Sequence, residues 1–156
     1  LAGLYTMRVI AGTEAAALEL STWMLAFSVF LFLSLAAVKR QAELVDAAAR
    51  EKPVIPGRGY APTDLPVVEM MAIAAGYNAV LVLALYISSP DTVGLYLSPT
   101  LLWGACPVLL YWISRMVMVA HKGGMDDDPL IFAVRDRVSQ GCGVLVLACG
   151  LAATFL

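Results

Sequence analysis

The sequence predicts an all-α protein, a polytopic transmembrane bundle of about five helices. Of its 156 residues, 61% are hydrophobic and only 14% are charged, whereas soluble domains are roughly half apolar and a quarter charged. Four stretches of 18 to 23 residues contain no charged side chain, and these are residues 21–38, 70–90, 92–114 and 138–156. Each matches the ~20 helical residues that cross a bilayer core. None shows the polar stripe of a soluble amphipathic helix.

The helices follow in order along the chain. The first is predicted to end near Gly12 and reads as the second half of a helix that begins upstream of Leu1, with neither an initiator Met nor a basic signal-peptide region. We therefore expect residues 1–156 to be the C-terminal part of a single transmembrane domain. The other four helices are predicted at residues 20–49, 66–89, 98–121 and 129–156. Asp128 followed by Pro129 is a strong start signal for the last helix, because Asp caps well and Pro suits the first helical position.

The charges predict how the helices are oriented. Loops 39–65 and 121–137 hold eight of the ten basic residues, whereas residues 13–20 and 88–97 hold only acidic ones. By the positive-inside rule, the two basic loops are cytoplasmic, and we expect a bacterial cytoplasmic (inner) membrane. The three cysteines lie inside apolar stretches without a C-x-x-C pair, which favours packing roles. Nothing in the sequence suggests a nucleic-acid partner.

The segment K-R-Q-A-E-L-V-D, residues 39–46, carries the strongest chemical signal. It places two bases and two acids where an apolar helix leaves the membrane. Lys39 and Arg40 suit phosphate groups, while Glu43 and Asp46 suit Mg²⁺, either directly or through water. The alternative is a membrane-edge anchor with an ion pair between Lys39 and Glu43, which lie one turn apart on one helix face.

Three other places are candidates for binding an anion or a metal ion. Arg115 stands alone after a long apolar run, six residues before His121 and so about 9 Å below the helix end. It either holds a phosphate in a cavity or extends to the membrane surface. Arg58 and Tyr60, in G-R-G-Y, either contact an anion or belong to a plain connector. Asp126 and Asp127 are either solvated or help to hold Mg²⁺, and His121 is expected to act as a cap or an interface residue.

Several segments together resemble the UbiA superfamily of intramembrane prenyltransferases. They are L-Y-T-M-R-V-I-A-G, F-L-S-L-A-A-V-K-R-Q-A-E-L, G-R-G-Y, the run from Leu101 to Pro129, and F-A-V-R-D-R-V-S. The resemblance covers nearly the whole chain. It is greatest to the branch that contains polyprenyl-phosphate phosphoribosyltransferases and to members fused to a hydrolase-like domain. It implies the last five helices of a nine-helix fold, with a first acidic motif upstream of Leu1. The second acidic motif would fall at residues 39–46, where this chain has K-R-x-x-E in place of paired Asp.

The resemblance implies a transferase that acts on a polyprenyl lipid, with Mg²⁺, and releases diphosphate at the cytoplasmic edge. Its phosphate-binding residues would be Lys39, Arg40, Arg58 and Tyr60, and its catalytic residues Glu43, Asp46 and Arg115, of which the two acids would also hold the metal. The expected partners are the polyprenyl substrate, membrane lipids and the N-terminal half of the same protein. Two alternatives remain, namely half of a transporter, since Gly104 and Pro107 interrupt the fourth helix, and an inert structural fragment.

Overall fold

A computed structural model describes residues 2–15, 22–49, 61–90, 94–125 and 128–156. These residues form an all-α fold, as predicted. Within them, four helices are long and apolar enough to cross a membrane, which is consistent with an integral membrane protein. The helices are α1 (Ala2–Ala15), α2 (Thr22–Ala49), α3 (Leu65–Ile87), α4 (Ala105–His121), α5 (Pro129–Arg135) and α6 (Arg137–Phe155), with 3₁₀ turns at Pro62–Asp64 and Pro99–Gly104.

Two helix predictions need correction. The predicted continuous helix over 129–156 is wrong, because the chain breaks at Asp136, whose φ of −80° and ψ of 121° are extended. The Asp136 carboxylate accepts the Ser139 N–H at 2.8 Å and so starts a new helix, α6. The fourth helix begins as a 3₁₀ turn before α4. Pro107 does not break α4, because it lies in the first turn, where backbone N–H groups have no partner within the helix.

Helix α4 ends in a turn that requires glycine. Gly123 has a φ of +70°, a left-handed conformation that costs little only without a Cβ. Its N–H donates to the Ala120 carbonyl at 3.1 Å, and the Gly124 N–H donates to the Val119 carbonyl at 3.0 Å. This arrangement is a common C-terminal cap. It turns the chain towards α5 at the same end of the bundle.

Helices α2, α3 and α4 pack closely around Gly76. A Cβ added there would lie 2.5 Å from Ile113 Cγ2 and 2.8 Å from Ser34 Oγ. The Ser34 hydroxyl donates to the Ala72 carbonyl at 2.7 Å and joins α2 to α3. Small residues allow membrane helices to approach in this way. Ala72 and Ala79, both with no exposed surface, extend the contact along α3.

The two ends of the bundle differ in character. At one end, Lys39 of α2 contacts Asp128, the residue that precedes α5. At the same end, Arg115 of α4 contacts Asp136, the residue that precedes α6. We call this end the basic rim. At the opposite end, a cavity of about 470 Å³ lies among apolar side chains that include Trp23, Phe27 and Leu109. The ion pairs of Lys39 and Arg115 therefore lie at the basic rim.

Candidate anion site at the basic rim

In the structure, the charged residues of α2 form ion pairs other than the one considered from the sequence. Glu43 pairs with Arg40, one turn before it, rather than with Lys39. The Lys39 ammonium instead donates to Asp128 Oδ2 at 2.6 Å. The ion pair between Lys39 and Glu43, which belonged to the alternative of a membrane-edge anchor, is therefore not the one that forms. Lys before Glu at this spacing is the weaker order for a helical pair, and the carboxylate of Asp128 lies within reach.

Asp128 has two roles. Its Oδ1 accepts the Leu130 N–H at 3.2 Å, which confirms the predicted cap of α5. Its Oδ2 holds Lys39, so capping alone does not account for this residue. Burial works to raise the pKa of Asp128, but the hydrogen bonds from Lys39 and Leu130 and the Lys39 charge outweigh burial, and the pKa is lowered. The carboxylate therefore stays ionised at neutral pH.

Arg115 is not the lone cation that the sequence suggested. Its Nη1 donates to Asp136 Oδ2 at 2.7 Å and its Nη2 to Asp136 Oδ1 at 3.0 Å. This is the bidentate geometry in which arginine binds carboxylates most strongly. The side chains are only 22% and 16% exposed. The prediction missed Asp136 because α4 and α6 are distant in sequence, although D-R-V-S has the pattern of a helix start.

Asp136 also organises the start of α6. Its Oδ2 accepts the Ser139 hydroxyl at 2.8 Å as well as the Ser139 N–H. The Ser139 oxygen in turn accepts the Trp112 indole N–H at 3.0 Å. Burial works to raise the pKa of Asp136, but the two Ser139 bonds and the Arg115 guanidinium outweigh it, so the pKa is lowered. Arg115 is thus held by a carboxylate whose own position is fixed.

A second polar cluster lies beside this segment and was not predicted. Gln41 has no exposed surface. Its Nε2 donates to Glu69 Oε1 and to the Val117 carbonyl, both at 3.0 Å. Glu69 Oε1 also contacts His121 Nδ1 at 2.6 Å, where the ring N–H donates because a carboxylate only accepts. The cluster joins α2, α3 and α4. A Gln within an otherwise apolar helix face was the one signal in the sequence that could have found it.

The ion pairs leave the cations able to bind an anion. An ammonium has three N–H donors and a guanidinium has five. Lys39 uses one on Asp128, and Arg115 uses two on Asp136. Asp128 and Asp136 flank the seven-residue α5, so Lys39 and Arg115 are paired at opposite ends of a helix about 10 Å long. An anion with more than one phosphate group could contact both.

The fit of a metal ion depends on the carboxylates of α2. Among the residues that the structure describes, no group of three or more His, Cys, Asp or Glu side chains could hold a metal ion. Glu43 and Asp46 nevertheless lie one turn apart at the rim end of α2. Mg²⁺ is commonly bound by one or two carboxylates together with water and substrate phosphates. Glu43 and Asp46 therefore fit as the carboxylate ligands that the protein would supply to such a site.

Four candidate residues fall outside the described residues: Arg58, Tyr60, Asp126 and Asp127.

Comparisons with known proteins give two relatives. No known protein family model matches the chain, and no solved structure matches it. The chain is 41% identical over 152 residues to the nodulation protein NoeC of Azorhizobium caulinodans, covering 97% of this chain and 49% of NoeC. It is 33% identical over 144 residues to the uncharacterized protein y4nM of Sinorhizobium fredii, covering 92% of this chain and 28% of that protein. The chain thus resembles about half of the first relative and about a quarter of the second.

Proposed function

We propose that this chain is part of an intramembrane transferase of the UbiA type, which acts on a polyprenyl phosphate and releases diphosphate at the basic rim. One observation carries the proposal. Lys39 and Arg115, on two apolar helices long enough to cross a membrane, are held at the two ends of α5 by Asp128 and Asp136. A lipid phosphate anchored in the bilayer would meet these charges at the depth of its headgroup.

The reaction that suits these charges best is phosphoribosyl transfer. An oxygen of the polyprenyl phosphate forms a bond to C1 of phosphoribosyl diphosphate. The bond from C1 to the diphosphate oxygen breaks, and the electron pair leaves with diphosphate. Negative charge grows on the leaving group, so fixed cations accelerate the step. Prenyl transfer from an allylic diphosphate has the same leaving group and is the second candidate reaction.

The cations have separate roles in this proposal. Lys39 and Arg40 bind the phosphates of the donor, and the family resemblance adds Arg58 and Tyr60 as further phosphate-binding residues. Arg115 lies deeper, six residues before the end of α4, and neutralises charge on the leaving diphosphate. Its bidentate bond to Asp136 keeps the guanidinium oriented before the substrate arrives. Such preorganisation spares the transition state the cost of reorienting a charge.

The acidic residues would hold the metal. Glu43 and Asp46 would bind Mg²⁺ with water and substrate oxygens completing its shell. When bound, Mg²⁺ neutralises charge on the diphosphate. Arg40, which pairs with Glu43, would hold that carboxylate in place beside the bound phosphates. The name of the Azorhizobium relative places that protein in nodulation and names no reaction, so the proposal rests on the rim residues and on the family resemblance.

The test is a transfer assay on the full-length protein in nanodiscs with Mg²⁺. Labelled phosphoribosyl diphosphate and a polyprenyl phosphate are supplied, and label is measured in the lipid phase. We expect transfer that falls at least 100-fold in Arg40→Ala and in Glu43→Gln, since one misplaced or missing charge contact costs about that much. Lys122→Ala is the matched control, because Lys122 is an exposed cation that directly follows the end of α4 at the same rim.

The outcomes separate the candidate reactions. Transfer only from a prenyl diphosphate to an aromatic acceptor would keep the family and replace the reaction. Transfer that persists in Arg40→Ala would reject the assigned site. If no transfer is measured from either donor, the proposed transferase function is refuted and the transporter alternative is favoured.

A further inference from the structure

Gln41 is the residue whose presence the core does not explain. It lies on the inward face of α2 between Val38 and Leu44, each only 1% exposed, and has no exposed surface itself. Its neighbour Arg40 is partly exposed, pairs with Glu43 and belongs to the candidate anion site. A fully buried amide therefore occupies the same helical turn as the charges that would bind substrate.

The amide connects three helices. One Nε2 hydrogen goes to Glu69 on α3 and the other to the Val117 carbonyl on α4. Val117 follows Arg115 by two residues, so the second bond joins the α2 turn of Lys39 and Arg40 to the α4 turn of Arg115. Glu69 closes the triangle through His121, one turn beyond Val117.

The remaining amide atom lacks a partner. Gln41 Oε1 is buried and accepts no hydrogen bond from the described residues. Exchanging the amide N and O would not help, because the oxygen would then face two acceptors. A bare buried acceptor lowers the free energy of unfolding, which offsets what the two Nε2 hydrogen bonds contribute. The net stabilisation by Gln at this position is therefore small.

We infer that Gln41 is a positioning residue of the anion site, setting the height and rotation of the α2 turn of Lys39 and Arg40 against the α4 turn of Arg115. The inference rests on the proposed function for its ligand, a diphosphate. A rotation of α2 by a tenth of a turn displaces the tip of a long side chain by several ångströms. Displacements of about 1 Å can cost 100-fold in rate.

The experiment compares Gln41→Met with the wild type in the full-length protein. Met has a similar volume and neither needs nor makes these hydrogen bonds. The probe is inorganic diphosphate with Mg²⁺, and both its Kd and the ligand-free Tm are measured. We expect Kd to rise at least tenfold while Tm stays equal or rises. Ser34→Ala is the matched control, because Ser34 is a buried polar residue of α2 that bonds to α3 alone. It should lower Tm and leave Kd unchanged.

A conservative variant provides the rescue. Gln41→Glu keeps the shape of the side chain, and its protonated form can donate one of the two lost bonds. Its affinity for diphosphate relative to the wild type should therefore recover as the pH is lowered. If Tm falls in Gln41→Met, the pH series with Gln41→Glu decides whether the inference holds. A ratio of the Gln41→Glu Kd to the wild-type Kd that does not change with pH overturns the inference.

Other results would also overturn it. Equal Kd in Gln41→Met and wild type would show that the amide does not position the site. Equal weakening in Ser34→Ala would show a general loosening of the bundle. A wild type that binds no diphosphate removes the site altogether. Failure of the transferase is distinguishable, because diphosphate binding that depends on Gln41 without any transfer would refute the proposed reaction and support this inference.

Discussion

The contact between Arg115 and Asp136 offers the sharpest test of the described site. Replacing Asp136 by Ala removes two charge-assisted hydrogen bonds, at 2.7 and 3.0 Å, and the cap of α6. Exposed ion pairs contribute about 0–1 kcal/mol, and breaking a buried one costs about 3–5 kcal/mol. With side chains 22% and 16% exposed, we expect about 2 kcal/mol from the pair. The lost cap adds about 1 kcal/mol.

A graded pair of variants separates the two contributions. Asp136→Asn keeps the cap, because Asn caps as well as Asp, and loses the charge that Arg115 requires. The expected losses in free energy of unfolding are therefore about 3 kcal/mol for Asp136→Ala and about 2 kcal/mol for Asp136→Asn. Ser139→Ala is the control, because it removes the hydroxyl bonds to Asp136 and Trp112 and leaves the ion pair intact. It should cost about 1 kcal/mol.

The assay is denaturant unfolding of the purified protein in detergent, followed by circular dichroism. Equal losses in Asp136→Asn and Asp136→Ala would show that charge alone matters and that the cap contributes nothing. Wild-type stability in both variants would refute the reasoning, because it would mean that Arg115 is satisfied without Asp136. A loss in Ser139→Ala as large as in Asp136→Ala would assign the effect to the Trp112–Ser139 bond instead.

Two further predictions concern stability. Gly76→Ala should lower the free energy of unfolding by about 1–3 kcal/mol, because the new methyl would lie 2.5 Å from Ile113. Gly143→Ala is the control and should be neutral or stabilising, because a Cβ added there has nothing within 4 Å. Unfolding curves that show the larger loss in Gly143→Ala would contradict the packing around Gly76. Acidification should weaken the fold, because the pKa values of Asp128 and Asp136 are lowered from 3.8. Their stabilisation is present above that value and is lost as pH falls through the lowered folded-state values. Unfolding curves from pH 6 to pH 2 check this, and a slope unchanged in Asp136→Asn would contradict it.

The helices could be predicted from the sequence because their cause is local. Long uncharged stretches satisfy their backbone groups only as helices in a membrane, whatever surrounds them. The predicted ranges 20–49 and 66–89 therefore agree with α2 and α3 to within two residues. The start of α5 was also predictable, since the Asp128–Pro129 signal acts over a single turn.

The break at Asp136 was less predictable for a physical reason. Residues 129–156 contain no Pro or Gly at the break, and every neighbouring residue can be helical. The chain leaves the helix there because Asp136 gains bonds from Ser139 and from Arg115 on another helix. Part of that gain comes from Arg115, outside the segment, so the local D-R-V-S pattern, although typical of a helix start, does not by itself predict the break.

The sequence by itself determined where the long apolar helices lie and which end of the bundle is basic, because chain length, hydropathy and charge act locally. Tertiary structure alone decided the partners. Lys39 binds Asp128 rather than Glu43, Arg115 is held by Asp136, and Gln41 spans three helices. These contacts join residues 21 to 89 positions apart. Hydrogen bonds act only over a few ångströms, so such pairings depend on how the helices pack.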